Sequence, residues 1–264
     1  MKRLKILVHG ASGKMGQEVL RAVGNEPELE AVAGVDQKVN EELSLPYCSG
    51  SIPLINDLEA ALIEYCPDVL VDFTVASAAM SAIRASVKHN VSPVVGTTGL
   101  SDEELSEIAT LCRDQGIGAV VAPNFSVAAV VMIHLSKIAA GFFDHAEIIE
   151  MHHEQKADAP SGTALTTARE MIKSRGKTFI HTAAVKETIP GSRGGELDGI
   201  ALHSVRLPGL LAHQEVILGA PGQTLKIRLD QINREAFMPG VILAIKKVVE
   251  FREAVFGLDR LLGF

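Results

Sequence analysis

A short apolar run that leads into three evenly spaced glycines constrains the fold of this chain more than any other feature. Leu4–Val8 is predicted to be a strand, Gly10-Ala-Ser-Gly13-Lys-Met-Gly16 a turn, and Lys14–Val23 a helix with apolar side chains on one face. Glycines let backbone N–H groups come close to a pyrophosphate, and the helix N-terminus adds partial positive charge. The segment is therefore predicted to bind a dinucleotide. A plain strand–turn–helix is the structural alternative.

Strand-like and helical patterns alternate through the first half of the chain. This order predicts a parallel sheet covered by helices on both faces, an α/β fold of the Rossmann type. Ser101 and Glu104 have the spacing of a capping box, which predicts a helix from there to about Gln115. The remaining predicted strands are Leu29–Val35, Val69–Phe73, Val91–Val95 and Ile117–Val121, and the remaining predicted helices are Asp57–Tyr65 and Ala76–His89.

The pattern changes after Ser126. Extended runs there follow one another without intervening helices, which predicts a second α/β domain with a mixed sheet. We expect residues 1–125 with 235–264 to form a dinucleotide-binding domain and residues 126–234 to form a substrate-binding domain. The predicted elements are helices at Val127–Phe142 and Thr163–Arg175, strands at Ala146–Glu150, Ile200–Leu207, Glu215–Leu218 and Leu225–Leu229, a turn at Gly219–Gly222, a flexible loop at Pro190–Gly199 and a last helix to about Arg252.

Composition restricts the class of protein. The 264 residues are 47% hydrophobic and 22% charged, as in globular proteins with an ample core, and the net charge of -7 does not indicate a nucleic-acid binder. No apolar run reaches the roughly 18 residues that span a bilayer, and the apolar run at Leu4 is too short for a signal peptide. Three widely spaced cysteines favour free thiols in a reducing compartment. We therefore expect a cytoplasmic protein that binds neither nucleic acid nor membrane.

An acidic residue follows the second predicted strand. Asp36 lies twenty residues after Gly16, where a carboxylate bonds the ribose hydroxyls of a dinucleotide. An acid here favours NAD over NADP because it repels a 2′-phosphate, whereas Lys38 is a cation that can form an ion pair with that phosphate. A solvated strand end and a surface lysine are the structural alternatives.

Polar loops follow later strands of the predicted parallel sheet. Loops at the carboxyl ends of such strands line the ligand crevice, and small residues, hydroxyls and an amide suit contacts with a nicotinamide and its ribose. Ordinary turn chemistry is the alternative for each loop. The segments are Gly96-Thr97-Thr98-Gly99, Ala122-Pro123-Asn124-Phe125-Ser126 and, as a weaker indication, Asp72-Phe73-Thr74.

Proton donors and anion binders are concentrated between Glu150 and Thr163. An imidazole group ordinarily titrates near neutrality, so His152 is a candidate general acid, whereas Lys156 is a candidate to pair with a substrate carboxylate or to donate the proton. His153 is a candidate to bind a second carboxylate. Ser161-Gly162-Thr163 opens a predicted helix, so its N–H groups form an anion site. Metal binding is a weaker alternative, since the spacing does not match H-E-x-x-H and cysteines do not cluster here.

Together these motifs resemble the dihydrodipicolinate reductase family. The resemblance implies reduction of 4-hydroxy-tetrahydrodipicolinate, a small dicarboxylate, to tetrahydrodipicolinate with NADH or NADPH, in the diaminopimelate route to lysine. It also implies a Rossmann domain and a C-terminal α/β domain that assembles a homotetramer. The motifs that carry it are Gly10–Gly16, Asp72–Thr74, Gly96–Gly99, Pro123–Ser126 and His152–Thr163.

The resemblance also implies roles for individual residues. It makes His152 the proton donor and acceptor, Lys156 the proton donor, and His153, Gly162 and Thr163 the substrate-binding residues. The implied cofactor-binding residues are Gly10, Ala11, Ser12, Gly13, Lys14, Met15, Asp36, Gly96, Thr97, Thr98, Ala122, Pro123, Asn124 and Phe125, with Lys38 as the nearby cation.

The sequence departs from the family pattern at two places. Family members often have His-His-Arg-His-Lys, whereas Glu154 and Gln155 fill the middle positions here. Many also have arginine directly after the acid of the second strand, where this chain has Gln37, which weakens the case for NADPH. Two alternatives stay open: another Rossmann reductase that acts on an acyclic imine, and a nucleotide-sensing regulator without catalysis.

Overall fold

The computed structural model describes residues 3–37, 44–47 and 50–264. The chain divides into two compact units, Met1–Val127 with Phe237–Phe264 and Ala128–Ala236. Strands β1–β13 are Leu4–His9, Leu29–Val35, Ser44–Tyr47, Gly50–Ile55, Val69–Asp72, Ser92–Val95, Ala119–Val121, His145–His152, Gly195–Leu197, Ile200–Arg206, Ala212–Ala220, Gln223–Gln231 and Ala254–Phe256. Helices α1–α8 are Lys14–Gly24, Leu58–Tyr65, Ala76–Lys88, Asp102–Gln115, Val127–Ala140, Gly162–Arg175, Met238–Val248 and Asp259–Leu262, with a 3-10 helix at Arg234–Phe237.

The first unit is built on a mostly parallel sheet with strand order β13-β7-β6-β5-β1-β2-β4-β3. In the described part of the chain, only β3 runs antiparallel to its neighbour. Ile6, Leu7 and Val8 of β1 are all 0% exposed. Since successive side chains of a strand point to opposite faces, both faces of the sheet are covered. The predicted α/β fold of the Rossmann type is therefore confirmed.

The second unit is built on a mixed sheet with strand order β12-β11-β8-β10-β9. Strand β8 pairs parallel with β10 and antiparallel with β11, so it lies at the centre. Ile148 of β8 and Val216 of β11 are buried in one cluster with Met171 of α6. The prediction of a mixed sheet is confirmed. The predicted division of labour between residues 1–125 with 235–264 and residues 126–234 remains a prediction.

Several predicted boundaries need correction. The segment Pro190–Gly199 is not wholly loop, because β9 pairs antiparallel with β10; a three-residue strand is too short to show a pattern. The last helix ends at Val248 rather than Arg252, and β13 then pairs parallel with β7. A side chain at Gly118 would come within 2.1 Å of the Val248 carbonyl oxygen, so the helix end packs closely against this glycine. The predicted capping box of α4 is present.

The structure describes two of the three cysteines. Cys66 and Cys112 are free thiols, and burial raises the pKa of Cys112 to about 11, whereas Cys48 lies outside the described residues. Over the described ranges, no helix has the length and apolarity needed to cross a membrane.

Candidate functional site

The glycine turn between β1 and α1 is held by close backbone approach. Gly10 has φ +78°, a conformation that favours glycine, and a Cβ at Gly16 would lie 2.2 Å from the Gly10 carbonyl oxygen. Gly13 is the N-cap of α1, and within the described residues neither a side-chain cap nor a first-turn acid occupies this helix N-terminus. Its N–H groups and partial positive charge are therefore available to an anion.

Asp36 reaches back to the glycine turn from the end of β2. Its carboxylate accepts hydrogen bonds from the backbone N–H of Ser12, at 3.1 Å, and from the Ser12 hydroxyl. The backbone N–H of Asp36 bonds to the Ile55 carbonyl at 3.0 Å, which fixes the strand end. The acid and the turn are thus brought together as predicted from their spacing. Lys38 lies outside the described residues.

A buried carboxylate connects the ends of three neighbouring strands. Asp72, at the end of β5, is 0% exposed and accepts from His9 Nδ1 at 2.6 Å. It also accepts from the backbone N–H and hydroxyl of Thr74, at 3.1 and 2.9 Å, and from the Thr97 hydroxyl at 2.9 Å. Burial raises the pKa of Asp72, but the hydrogen bond and charge of His9, with Thr74 and Thr97, outweigh it and hold the pKa below its ordinary value. His9 was not foreseen from the sequence.

The loops after β6 and β7 lie beside this carboxylate. A Cβ at Gly96 would lie 2.1 Å from the Phe73 ring, so a side chain there would have to displace that ring. Phe73 and Phe125 pack with ring centroids 5.8 Å apart. Asn124 Oδ1 accepts from the Ser126 N–H at 2.8 Å and so shapes its own loop. All of the predicted cofactor residues that the structure describes therefore follow the carboxyl ends of β1, β2, β6 and β7 in one sheet, and the weaker candidates at Asp72–Thr74 lie at the end of β5 between β6 and β1.

The second unit contains another buried carboxylate, Glu150 of β8, which is 1% exposed. It accepts from His152 Nδ1 at 2.5 Å and from both terminal nitrogens of Arg206, at 2.9 and 2.8 Å. Burial raises the pKa of Glu150, but hydrogen bonds from Arg206, Ser204 and His152 outweigh it and lower the pKa. His152 is the last residue of β8 rather than part of the following loop, which corrects the predicted strand end at Glu150.

His152 is only 15% exposed, and its environment favours the neutral imidazole. Burial lowers its pKa, and the positive charges of Lys156 and Arg206 act in the same direction. The hydrogen bond and charge of Glu150 oppose this shift without reversing it. Because Nδ1 bonds to a carboxylate, the neutral ring carries its proton on Nδ1 and a lone pair on Nε2. As it stands, the ring is better suited to accept a proton at Nε2 than to donate one from it.

Lys156 lies in the turn that follows β8. Its ammonium bonds to Asp158 Oδ1 at 2.6 Å, and this contact lowers the pKa of Asp158. Lys156 is 21% exposed and Asp158 is 57% exposed, so the pair borders solvent. The backbone N–H of Lys156 bonds to the carbonyl of His153 at 3.2 Å, which brings these two predicted residues into one turn.

Ser161 is the N-cap of helix α6, which follows this turn. Its side chain accepts from the backbone N–H of Ala164 at 3.2 Å, and its own N–H bonds to Glu150 at 3.2 Å. Gly162 is exposed, has no positive φ, and a Cβ there would meet nothing within 4 Å, so packing does not require glycine. The N–H groups of Gly162 and Thr163 belong to the first helical turn, as predicted for an anion site.

Sequence reasoning missed Arg206 and the role of Glu150. A signal for Glu150 exists in the sequence. Ala146, Ile148 and Glu150 alternate along β8 and so share its buried face, and an acid on a buried face needs a buried partner. Arg206 lies 56 residues away, and only the parallel pairing of β10 with β8 brings it opposite His152. For metals, no group of three or more His, Cys, Asp or Glu in the described ranges is arranged to hold an ion.

Known proteins are similar to both units. The protein-family model described as dihydrodipicolinate reductase, N-terminus, matches residues 4–125. The family model described as dihydrodipicolinate reductase, C-terminus, matches residues 128–262. A 4-hydroxy-tetrahydrodipicolinate reductase from Dehalococcoides mccartyi is 53% identical over 263 residues, 99% of each chain. One from Bacillus subtilis is 43% identical over 262 residues, 98% of each chain.

Solved structures agree with these sequence relatives. Dipicolinate-bound dihydrodipicolinate reductase from Paenisporosarcina sp. TG-14 matches with a TM-score of 0.88 and 40% identity, covering 98% of this chain and 99% of that one. Amine dehydrogenase from Mycobacterium smegmatis, at 14% identity and a TM-score of 0.62 over 97% and 95% of the two chains, shares the fold alone. By both of its units and along nearly its whole length, the chain belongs to the dihydrodipicolinate reductase family.

Proposed function

We propose that this protein reduces 4-hydroxy-tetrahydrodipicolinate to tetrahydrodipicolinate with NADH or NADPH, on the route to diaminopimelate and lysine. In the balanced reaction a hydride and a proton enter, and the hydroxyl group leaves as water. The observation that carries the proposal is that both units match the family and that the second keeps its His-Lys segment. Curated relatives at 43–54% identity have the corresponding reductase name.

The first unit is proposed to hold the dinucleotide, which supplies the hydride when bound. The uncapped N-terminus of α1 suits the pyrophosphate, and the Asp36 carboxylate suits the ribose hydroxyls. The loops at Gly96–Thr98 and Ala122–Phe125 complete the proposed cofactor site. An acid followed by Gln37 favours NADH, since neither residue attracts a 2′-phosphate.

The second unit is proposed to bind the dicarboxylate. A relative that is 40% identical has been solved with dipicolinate bound, which is itself a planar dicarboxylate. The first-turn N–H groups of Gly162 and Thr163 suit one carboxylate, and His153 and Lys156 add polar contacts from the adjacent turn. The open space around Gly162 fits this proposal, because a substrate can approach a backbone that has no side chain.

Protonation of the reduced product is proposed to begin at Lys156. Its ammonium group carries a proton that can be delivered, whereas the proton of a neutral His152 is held on Nδ1 by Glu150. His152 Nε2 is then the acceptor that exchanges protons with substrate or solvent. His152 therefore fits a donor-and-acceptor role only after it has taken up a second proton.

The homotetramer and the cytoplasmic location are part of the same proposal. Family resemblance supports a tetramer assembled through residues 126–234, and light scattering during size-exclusion chromatography tests its mass. The biosynthetic role of the relatives supports the cytoplasm, which cell fractionation tests.

The first prediction is turnover with the proposed substrate. Product of the preceding synthase, made in situ, should drive oxidation of NADH at 340 nm, with kcat/KM higher for NADH than for NADPH. A Lys156→Ala variant should lose turnover and bind dipicolinate more weakly. Oxidation of NADH with a 2-oxo acid and ammonia instead would identify a reductase of acyclic imines. Binding of NADH without turnover of either substrate would favour the nucleotide sensor.

A further inference from the structure

The Glu150 carboxylate is the point at which several parts of the second unit meet. Its Oε2 accepts from His152 Nδ1 at 2.5 Å and from Arg206 at 2.9 Å, and its Oε1 accepts from Arg206 at 2.8 Å and from the Ser161 N–H at 3.2 Å. With 1% exposure it has almost no contact with water. These four hydrogen bonds fix the orientation of the carboxylate.

This position determines the state of His152. A carboxylate accepts hydrogen bonds and cannot donate them, so the neutral imidazole must keep its hydrogen on Nδ1. Among the described residues, no protein group hydrogen-bonds to Nε2 of this ring. Glu150 therefore decides both the orientation of the ring and which nitrogen is presented to a ligand.

Arg206 extends the same contact to the turn that contains Lys156. One terminal nitrogen of its guanidinium donates to the carbonyl of Asp158 at 2.6 Å, while both terminal nitrogens bond to Glu150. The Asp158 side chain in turn binds the Lys156 ammonium at 2.6 Å. A planar guanidinium is suited to this bridge because its donors have fixed directions.

We propose that the Glu150–Arg206 ion pair is the positioning unit of the active site, fixing His152 through Nδ1 and Lys156 through the backbone and side chain of Asp158. The proposal rests on the proposed function, in which His152 and Lys156 move the proton. Neither Glu150 nor Arg206 touches substrate in this role. Both act through the two residues that do.

The same strand provides a matched control. Glu147 also bonds to an arginine and a histidine, Arg193 and His203 Nε2, the latter at 2.9 Å. It is 36% exposed, and its contacts do not extend to the turn with Lys156. The Glu147→Gln variant therefore measures how much kcat changes when a carboxylate of β8 that bonds to an arginine and a histidine is removed away from the turn with Lys156.

The second prediction compares Glu150→Gln, Arg206→Lys and Glu147→Gln. Glu150→Gln should lower kcat by about 10²-fold, the loss that a misplacement of about 1 Å in an active site can cause. NADH affinity should stay unchanged, because the proposed cofactor residues lie in the other unit. Arg206→Lys keeps the charge but loses the planar fork, so its kcat should lie between those of Glu150→Gln and the parent. Glu147→Gln should keep the parent kcat.

A spectroscopic readout separates positioning from folding and from the proposed function. In ¹⁵N NMR spectra, His152 of the parent should be protonated on Nδ1, and Glu150→Gln should show a mixture of both neutral tautomers, because an amide can accept or donate. An unchanged tautomer and parent kcat in Glu150→Gln, or equal losses in Glu147→Gln, would overturn the positioning role. If Glu150→Gln does not fold, Arg206→Lys with parent kcat overturns it. A parent protein without turnover would refute the proposed function while the tautomer measurement still stands.

Discussion

Each unit contains a buried carboxylate that bonds to histidine Nδ1, yet different kinds of group stabilise the negative charge of the two carboxylates. Asp72 in the first unit is 0% exposed and lies 2.6 Å from His9, whereas Glu150 in the second is 1% exposed and lies 2.5 Å from His152. Asp72 is otherwise surrounded by hydroxyl and backbone N–H donors. Glu150 has the bidentate guanidinium of Arg206.

This difference assigns different tasks to the two histidines. Among the described residues, His9 is the only basic side chain that bonds to Asp72, so its ring is part of what keeps that carboxylate buried. His152 is not needed in this way, because Arg206 already compensates Glu150. We therefore expect a histidine to exchange protons with a ligand more readily where another cation already compensates the charge of its carboxylate partner.

The third prediction tests Arg206, the cation that compensates the buried charge of Glu150. Arg206→Met should lower the free energy of unfolding by about 3–5 kcal/mol, because it leaves a buried carboxylate without its cation. Urea denaturation followed by circular dichroism measures the change. The double variant Arg206→Met with Glu150→Leu should recover much of the loss. If Arg206→Met lowered the free energy of unfolding less than removal of the His152 side chain does, then His152 and not Arg206 would be the main group that compensates Glu150.

The fourth prediction concerns the first unit. His9→Ala should lower the free energy of unfolding by about 1.5–3 kcal/mol, the usual cost of losing a hydrogen bond to a buried charged group. His9→Asn, whose amide can still donate to Asp72, should recover part of it. Equal stability of the alanine variant and the parent would show that Thr74 and Thr97 satisfy Asp72 without the imidazole.

The fifth prediction has the smallest effect on stability and separates stability from activity. His152→Ala should lower the free energy of unfolding by only about 0.5–1.5 kcal/mol, since Arg206 and the Ser161 N–H remain bonded to Glu150. Its kcat should fall by about 10²–10⁴-fold, with a much smaller rise in KM, because proton transfer matters mainly in the transition state. An unchanged kcat would remove His152 from proton transfer.

Local patterns predicted most of the fold. The glycine turn, the capping box at Ser101 and the change from alternating to consecutive strands depend on neighbours within a few residues, and the structure has all three. The three-residue strands Gly195–Leu197 and Ala254–Phe256 were missed because each forms only by pairing with a strand from elsewhere in the unit. Segments of three residues are too short for a hydrophobic period to be visible.

The sequence by itself determined the two classes of sheet, the helix N-termini that we expect to bind anions, and the set of candidate residues from His152 to Thr163, because these follow from spacing along the chain. Only the tertiary structure decided which nitrogen of His152 is held, since Arg206 and Glu150 are 56 residues apart and meet through strand pairing. The same holds for His9 and Asp72, which are 63 residues apart. Electrostatic environment depends on distance in space, and a linear pattern does not contain that distance.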